Sequence, residues 1–187
     1  MDTVTQVVLG TAIAEGCFRR ELGKKSLFFG AFCGWFPDSD VLLHSFGTWE
    51  SMVSHRAETH SLFCLPLFAL PLAWLGHRWG KKGRWSQWYH LAFWAVVTHP
   101  LLDSFTSSGT QLFAPFSDTR VAWDGVGIID LIYTLPLIYV SWQAFRKQSD
   151  RARSQKHARW ALMATTVYLT FGLALSQLSL IHISEPT

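Results

Sequence analysis

The sequence contains little cysteine and little charge. Its three cysteines, Cys17, Cys33 and Cys64, are odd in number and widely spaced in apolar sequence, which argues against a disulfide framework or a zinc ribbon. Charged residues make up 16% of the 187 residues, below the roughly 25% of an average soluble domain, whereas hydrophobic residues make up 49%. The composition therefore predicts one domain that contacts a lipid bilayer.

Several motifs of soluble enzymes are also absent. The chain has no G-x-S-x-G elbow, no P-loop and no H-E-x-x-H, so serine hydrolase, nucleotide-binding and zincin functions lack support. The net charge of +3 is compatible with nucleic-acid binding, but the basic residues lie at the ends of apolar runs rather than on one polar face. We therefore expect no nucleic-acid partner.

The first 16 and the last ten residues of the chain support separate predictions. Residues 1–16 lack a basic first segment and carry Asp2 and Glu15, so we expect no removed signal peptide. Residues 178–187 (LSLIHISEPT) match, over all ten positions, the translation of a common sequencing-library adapter. We interpret them as an assembly artefact and residues 1–177 as the domain, which leaves open whether the natural chain continues.

Basic residues alternate with apolar runs along the chain. All Lys and Arg residues except Arg56 and Arg120 lie in three clusters, at 19–25, 78–84 and 146–159. The apolar runs cover residues 4–18, 26–36, 61–76, 89–102, 126–145 and 160–177. Because positive loops stay cytoplasmic, the pattern predicts an all-α, polytopic membrane protein with four to six transmembrane or partly inserted helices. The first two runs also contain Gly10, Gly16, Gly30 and Gly34, which would allow close helix packing.

The segments between the basic clusters contain paired acidic residues and histidines. His99 and Asp103, in HPLLD, are four residues apart and would share one face of a helix, although Pro100 would break or start a helix there. Asp38 and Asp40, in PDSD, would point the same way if extended. Helix capping and turn formation remain open as alternative roles for these residues.

A third motif, HRAETHS, supplies His55 and His60, with Arg56 available to bind a phosphate or carboxylate. These acidic and imidazole groups have few basic partners, so a divalent ion is the simplest neutralising group, with zinc first and manganese or iron next. The predicted metal ligands are Asp38, Asp40, His55, His60, His99 and Asp103, and the predicted catalytic residues are Asp38, Asp40 and Arg56. Supporting roles are expected for Asp2, Asp124 and Asp130.

Taken together, these motifs resemble the YdjM-like family of bacterial inner-membrane proteins, described as metal-dependent hydrolases. The resemblance covers about residues 1–140 and includes MDTVTQVVLG at the start and GTQLFAPFSDTR followed by IID at 109–130. It implies metal or catalytic roles for the six predicted ligands and an inner-membrane location. The family usually has His where this chain has Gln6, which would leave one coordination position vacant or differently filled. A LexA-binding role attached to the family name is neither supported nor excluded by these residues.

The sequence therefore favours a membrane-bound metal-dependent hydrolase whose site lies on the non-cytoplasmic side. Membrane lipids are the expected partners, and a lipid-linked ester or phosphoester is the expected substrate; protein partners are unknown. Two other classes remain open. One is a non-catalytic membrane protein whose His and Asp residues bind metal or cap helices. The other is a small ion transporter that uses Asp130, the one acidic residue that looks deep enough for an ion path.

Overall fold

The computed structural model describes residues 1–39, 59–146 and 150–184, with side chains described to residue 179. Within these ranges the chain forms six main α-helices and no strand beyond one isolated bridge between Thr110 and Val121. The helices are α1 (Thr3–Ile13), α2 (Lys25–Trp35), α3 (Leu65–Gly80), α4 (Trp85–Ser104), α5 (Leu131–Phe145) and α6 (Arg151–Ser184). The predicted all-α class is confirmed for this part of the chain.

The first apolar run forms a longer helical segment than α1 alone. After α1 the backbone continues through a π-helical segment, Ala14–Phe18, and a short α-helical turn, Arg19–Leu22. Gly23 ends the run with φ of 78°, a conformation that glycine adopts at little cost. Helix from residue 3 to residue 22 rises about 30 Å, which is close to the thickness of a bilayer core.

The basic segments meet at one end of the helix bundle. Lys25, at the start of α2, donates from Nζ to the carbonyl of Trp79 near the end of α3, at 2.7 Å. Arg19 donates to the carbonyl of Ala144, near the end of α5, at 3.3 Å. We call this end the basic end. The helices joined through basic segments therefore run antiparallel.

The opposite end is built from the segments rich in Asp and His. The backbone N–H of Asp2 donates to Ile128 at 3.2 Å, and that of Leu62 donates to Leu112 at 3.0 Å. These bonds tie the starts of α1 and α3 to the long connection between α4 and α5. Candidate ligands that are far apart in sequence are thereby brought to one end of the bundle.

Glycine allows α1 and α2 to pack with their backbones in contact. A Cβ on Gly30 would lie 2.4 Å from the Gly10 carbonyl oxygen, and a Cβ on Gly34 would lie 2.3 Å from that of Gln6. The predicted close packing therefore holds for Gly10, Gly30 and Gly34, since no side chain fits between the helices. Gly16 lies elsewhere, against Arg159 and Leu162 of α6.

Gly30→Ala is expected to lower the free energy of unfolding. Alanine gains about 1 kcal/mol of helix propensity over glycine, but overpacking a tight contact costs about 1–3 kcal/mol, and here the clash is with backbone. Gly16→Ala is the matched control, because its Cβ would meet atoms of Arg159 and Leu162 at ordinary van der Waals distances, 3.4–3.5 Å. Thermal unfolding in detergent should show a lower midpoint for the Gly30 variant alone, and equal midpoints would contradict the packing argument.

One helix in the described part of the chain is long and apolar enough to cross a membrane. It covers Arg151–Ser179, 29 residues with a mean hydropathy of 1.4 in its most apolar window, of which only 11% is buried. Leu131–Phe145 is apolar but shorter. Each predicted apolar run does fall largely on helix, but crossing by four to six helices remains a prediction.

Candidate metal centre

The candidate ligands come from three segments of the chain that meet at one end of the helix bundle. Asp38 lies in a short 3-10 helix, Phe36–Ser39, directly after α2, and His60 lies in a turn before α3. His99 and Asp103 both lie in the last turns of α4, one turn apart. The expectation that Pro100 would interrupt the helix here is wrong, because α4 continues through it to Ser104. Proline removes a single backbone hydrogen bond, which the packed end of a long helix can tolerate.

The four side chains converge on a common point. Asp38, His60 and His99 each offer one ligand atom, and these three atoms all lie within 4.8 Å of one another. Oδ1 of Asp38 is 3.2 Å from Nε2 of His99 and 3.8 Å from Nε2 of His60. Oδ2 of Asp103 lies on the same side, 3.6 Å from Nε2 of His60 and 3.7 Å from Nε2 of His99. Two imidazoles and two carboxylates thus surround one small volume.

The tautomer of His99 is fixed by the backbone of α2. Its Nδ1 donates to the carbonyl oxygen of Gly34 at 2.7 Å, so in the neutral ring Nε2 carries the lone pair. That lone pair faces Oδ1 of Asp38, which is also an acceptor. Two acceptors in such contact require a positive species between them, either a second ring proton or a metal ion. The Nδ1 bond to a carbonyl is the usual arrangement for a metal-ligating histidine.

His60 points an unpaired nitrogen into the same volume. Its Nδ1 lies 3.0 Å from the hydroxyl of Thr59, but its buried Nε2 has no hydrogen-bond partner among the described residues. Both carboxylate oxygens near Nε2 are too distant for a hydrogen bond. Burying a polar atom without a hydrogen-bond partner costs free energy, and an ion bound to Nε2 of His60 would remove that cost.

The protonation states also suit a cation. Burial lowers the pKa of His60 below its ordinary value, against the opposing effect of Asp103, so the neutral ring is favoured. For Asp38, burial alone would raise the pKa, but the hydrogen bond and charge of His99 outweigh it and hold this pKa below its ordinary value. Neutral imidazole and ionised carboxylate are the forms that bind metals.

The spacing matches a four-coordinate ion. Two bonds of about 2.0–2.1 Å at a tetrahedral angle place their ligand atoms about 3.3–3.4 Å apart. The four nitrogen-to-oxygen distances here, from 3.2 to 3.8 Å, bracket that value. Asp38, His60 and His99 therefore fit the ligand set of a divalent metal, and Asp103 adds a carboxylate oxygen within 3.7 Å of both imidazoles.

Asp103 is held by groups that sequence reasoning did not assign to it. Its Oδ1 accepts from Nε2 of Gln6 at 3.0 Å and from the amino group of Met1. Gln6 also donates to the carbonyl of His99 at 3.3 Å, and its Oε1 is buried without a partner. Gln6, noted from the resemblance as a departure from His, therefore lies beside the cluster and orients one of its carboxylates.

The three predicted supporting residues lie outside the four-residue cluster. Asp2 caps α1 by accepting from the backbone N–H of Thr5 at 3.0 Å. Asp130 caps α5 through Tyr133 and accepts from the hydroxyl of Tyr168 at 2.7 Å. Asp124 is exposed, with φ of 47°. Asp2 and Asp130 thus stabilise the starts of helices near the cluster. The other predicted site residues, Asp40, His55 and Arg56, lie outside the described residues.

These features define a class: a protein that is all-helical in its described part, with a His and Asp cluster at one end of its bundle and one helix long and apolar enough to cross a membrane. The chain belongs to the family described as YdjM inner membrane protein, whose model matches residues 1–179. The resemblance found from the motifs is therefore confirmed, and the family description indicates a protein of the inner membrane. No curated protein and no solved structure matches the chain.

Proposed function

We propose that this protein is a membrane-bound, metal-dependent hydrolase whose ion is held by Asp38, His60, His99 and Asp103. The observation that carries the proposal is the convergence of two imidazole Nε2 atoms on two carboxylates, where Nε2 of His60 forms no hydrogen bond within the described part of the chain. Zinc suits a mixed nitrogen and oxygen ligand set, with manganese or iron as alternatives. When bound, such an ion would polarise the oxygen of a scissile group and acidify a water held at a further coordination position.

The cluster is exposed to solvent on the side of Asp38. Its side chain is 20% exposed, whereas those of His60, His99 and Asp103 are 0–3% exposed. A substrate would therefore approach past Asp38, whose carboxylate can accept a proton from the attacking water. Asp40 and Arg56, the other predicted catalytic residues, remain predictions; Arg56 would serve as a clamp for a substrate phosphate.

Membrane placement follows from the two ends of the bundle. The basic end faces the cytoplasm by the positive-inside rule, so the metal centre lies on the non-cytoplasmic side. Large apolar side chains exposed on several helices support more than one crossing, since soluble monomers rarely expose such continuous surface. Examples are Phe28 on α2, Leu67 and Trp74 on α3, Trp94 on α4 and Ile132 on α5.

The substrate class follows from this position. A site at the end of a membrane-embedded bundle lies at the level of lipid headgroups, so a lipid-linked ester or phosphoester can reach it without leaving the bilayer. Ion transport is less well supported, because Asp130, the residue on which that alternative depends, is engaged in capping α5 and bonding Tyr168.

The proposal is tested by metal removal and return. Detergent-purified protein is stripped with a chelator, reloaded with zinc, manganese or iron(II), and assayed on phosphatidic acid, phosphatidylglycerol, 4-nitrophenyl phosphate and 4-nitrophenyl butyrate. Hydrolysis of one ester class is expected only with metal present, and it should return on reloading. Metal-loaded protein that hydrolyses neither phosphoesters nor carboxylesters would overturn the proposal and favour a non-catalytic metal site.

A further inference from the structure

A cavity at the basic end, far from the candidate metal centre, is lined mainly by cations. Its volume is about 470 Å³, within the range of small-molecule sites. Five basic side chains line it: Arg19, Arg20, Lys24, Lys82 and Arg151. Glu21 is the one acidic residue among its described lining residues.

The cations come from three separate parts of the chain. Arg19, Arg20 and Lys24 lie at the end of the first helical run, Lys82 lies in the turn between α3 and α4, and Arg151 begins α6. Packing ties these parts together: a Cβ on Gly83, next to Lys82, would lie 2.3 Å from a methyl of Leu22, and Arg159 of α6 donates from Nε to the carbonyl oxygen of Gly16 at 2.6 Å. The cavity is therefore a feature of the tertiary fold rather than a run of basic sequence.

Most of this positive charge is unbalanced. Arg19 is neutralised by Glu15, at 3.1 Å, within the first helical run. For Arg20, Lys24, Lys82 and Arg151, no carboxylate lies within 4 Å in the described part of the chain. Asp150 is nearby in sequence, but it accepts from the backbone N–H of Arg153 and does not line the cavity. These four cations are exposed, so solvent screens part of their mutual repulsion, and an anion in the space between them would reduce it further.

An apolar strip continues from this cavity along α6. A neighbouring groove shares Arg20 and Gln155 with the cavity and extends past Arg159 to Trp160 and Met163. The side chains of Trp160 and Met163 are each 59% exposed. A cationic space that opens onto an exposed apolar surface matches a ligand with an anionic head and a hydrocarbon chain.

We propose that this basic-end cavity binds the phosphate of an anionic phospholipid, whose acyl chain lies along α6 past Trp160 and Met163. Arginine and lysine form charge-assisted hydrogen bonds with phosphate oxygens, and basic pockets between membrane helices on the cytoplasmic side recognise such headgroups. The continuity with the apolar strip favours a lipid over a free phosphate. The site is independent of the metal centre and of any hydrolysis there.

The test compares lipid binding by matched charge variants. Arg20→Gln/Lys82→Gln removes two cations of the cavity, whereas Lys81→Gln/Arg153→Gln removes two cations of the same end that do not line it, and all four side chains are exposed. Binding is measured by thermal shift and by titration of detergent-purified protein with phosphatidylglycerol, phosphatidylcholine or inorganic phosphate at constant ionic strength. Size-exclusion elution of each variant checks that it is folded.

The parent is expected to prefer phosphatidylglycerol to phosphatidylcholine. The cavity variant should bind phosphatidylglycerol about tenfold to a hundredfold more weakly, from the loss of two charge-assisted bonds, while the matched variant stays within about threefold of the parent. Equal losses in both variants would show diffuse attraction to the membrane surface and overturn the proposal. Inorganic phosphate that stabilises the parent as well as the lipid does would overturn the lipid assignment.

Discussion

His60→Ala is expected to weaken metal binding by at least about a hundredfold, because even outer-sphere partners of a metal ligand contribute about tenfold to a hundredfold. The His60 imidazole is 1% exposed, and no residue in the ranges that the structure describes forms a hydrogen bond with its Nε2 that could replace the ion. Asp103→Asn should also weaken binding, since it keeps the volume of the side chain but removes its charge. Metal content after purification without chelator, and competition titration with a zinc indicator, measure both effects.

His90→Ala is the matched control for the loss of an imidazole. His90 lies on α4, as His99 does, but it is exposed and belongs to the part of the helix near the basic end. Its replacement should leave metal content unchanged. A parent protein without stoichiometric divalent metal, or a His60→Ala variant that keeps the parent's affinity, would show that the cluster is not a metal site.

Helix content was predictable from composition and periodicity, because each apolar run is long enough for a helix and is bounded by charged or turn residues. The pairing of His99 with Asp103 was equally predictable, since a spacing of four residues places both on one helix face. Asp38 and His60 were candidates by type and position, and the structure brings both to that pair. The sequence alone does not give the distances between these four side chains, because those distances depend on how α1, α2 and α4 pack.

The groups that orient the ligands were the hardest to foresee. The carbonyl of Gly34 accepts from His99 only because α2 approaches α4 closely, and a backbone acceptor leaves no mark in side-chain patterns. Gln6 could be noticed in the sequence only because the family usually has His at this position. Its hydrogen bond to Asp103 could not be predicted, since the two residues are 97 positions apart. The roles of Asp2 and Asp130, by contrast, can be predicted from the local sequence. Each stands just before a helix and accepts from a backbone N–H three residues on, the pattern of a helix N-cap.

Asp38→Asn is expected to reduce turnover by about a hundredfold to ten-thousandfold at saturating metal, the usual contribution of a positioned proton acceptor. Asp38 is the ligand exposed at the opening of the site, and it is ionised at neutral pH because the hydrogen bond with His99 outweighs burial and holds its pKa below the ordinary value. Asparagine retains an oxygen that can contact the ion, but it cannot accept the proton. The loss should therefore appear in kcat more than in metal occupancy, which is measured on the same samples.

Asp118→Asn provides the control for removing a carboxylate at this end of the bundle. Asp118 is exposed, lies in the connection between α4 and α5, and is not one of the clustered ligands. Its replacement should leave both kcat and metal content close to those of the parent. If Asp38→Asn keeps turnover within about tenfold of the parent with metal bound, the proton acceptor must be another group. If metal and turnover fall in parallel instead, Asp38 acts as a ligand alone, because the remaining activity then follows the fraction of protein that holds the ion.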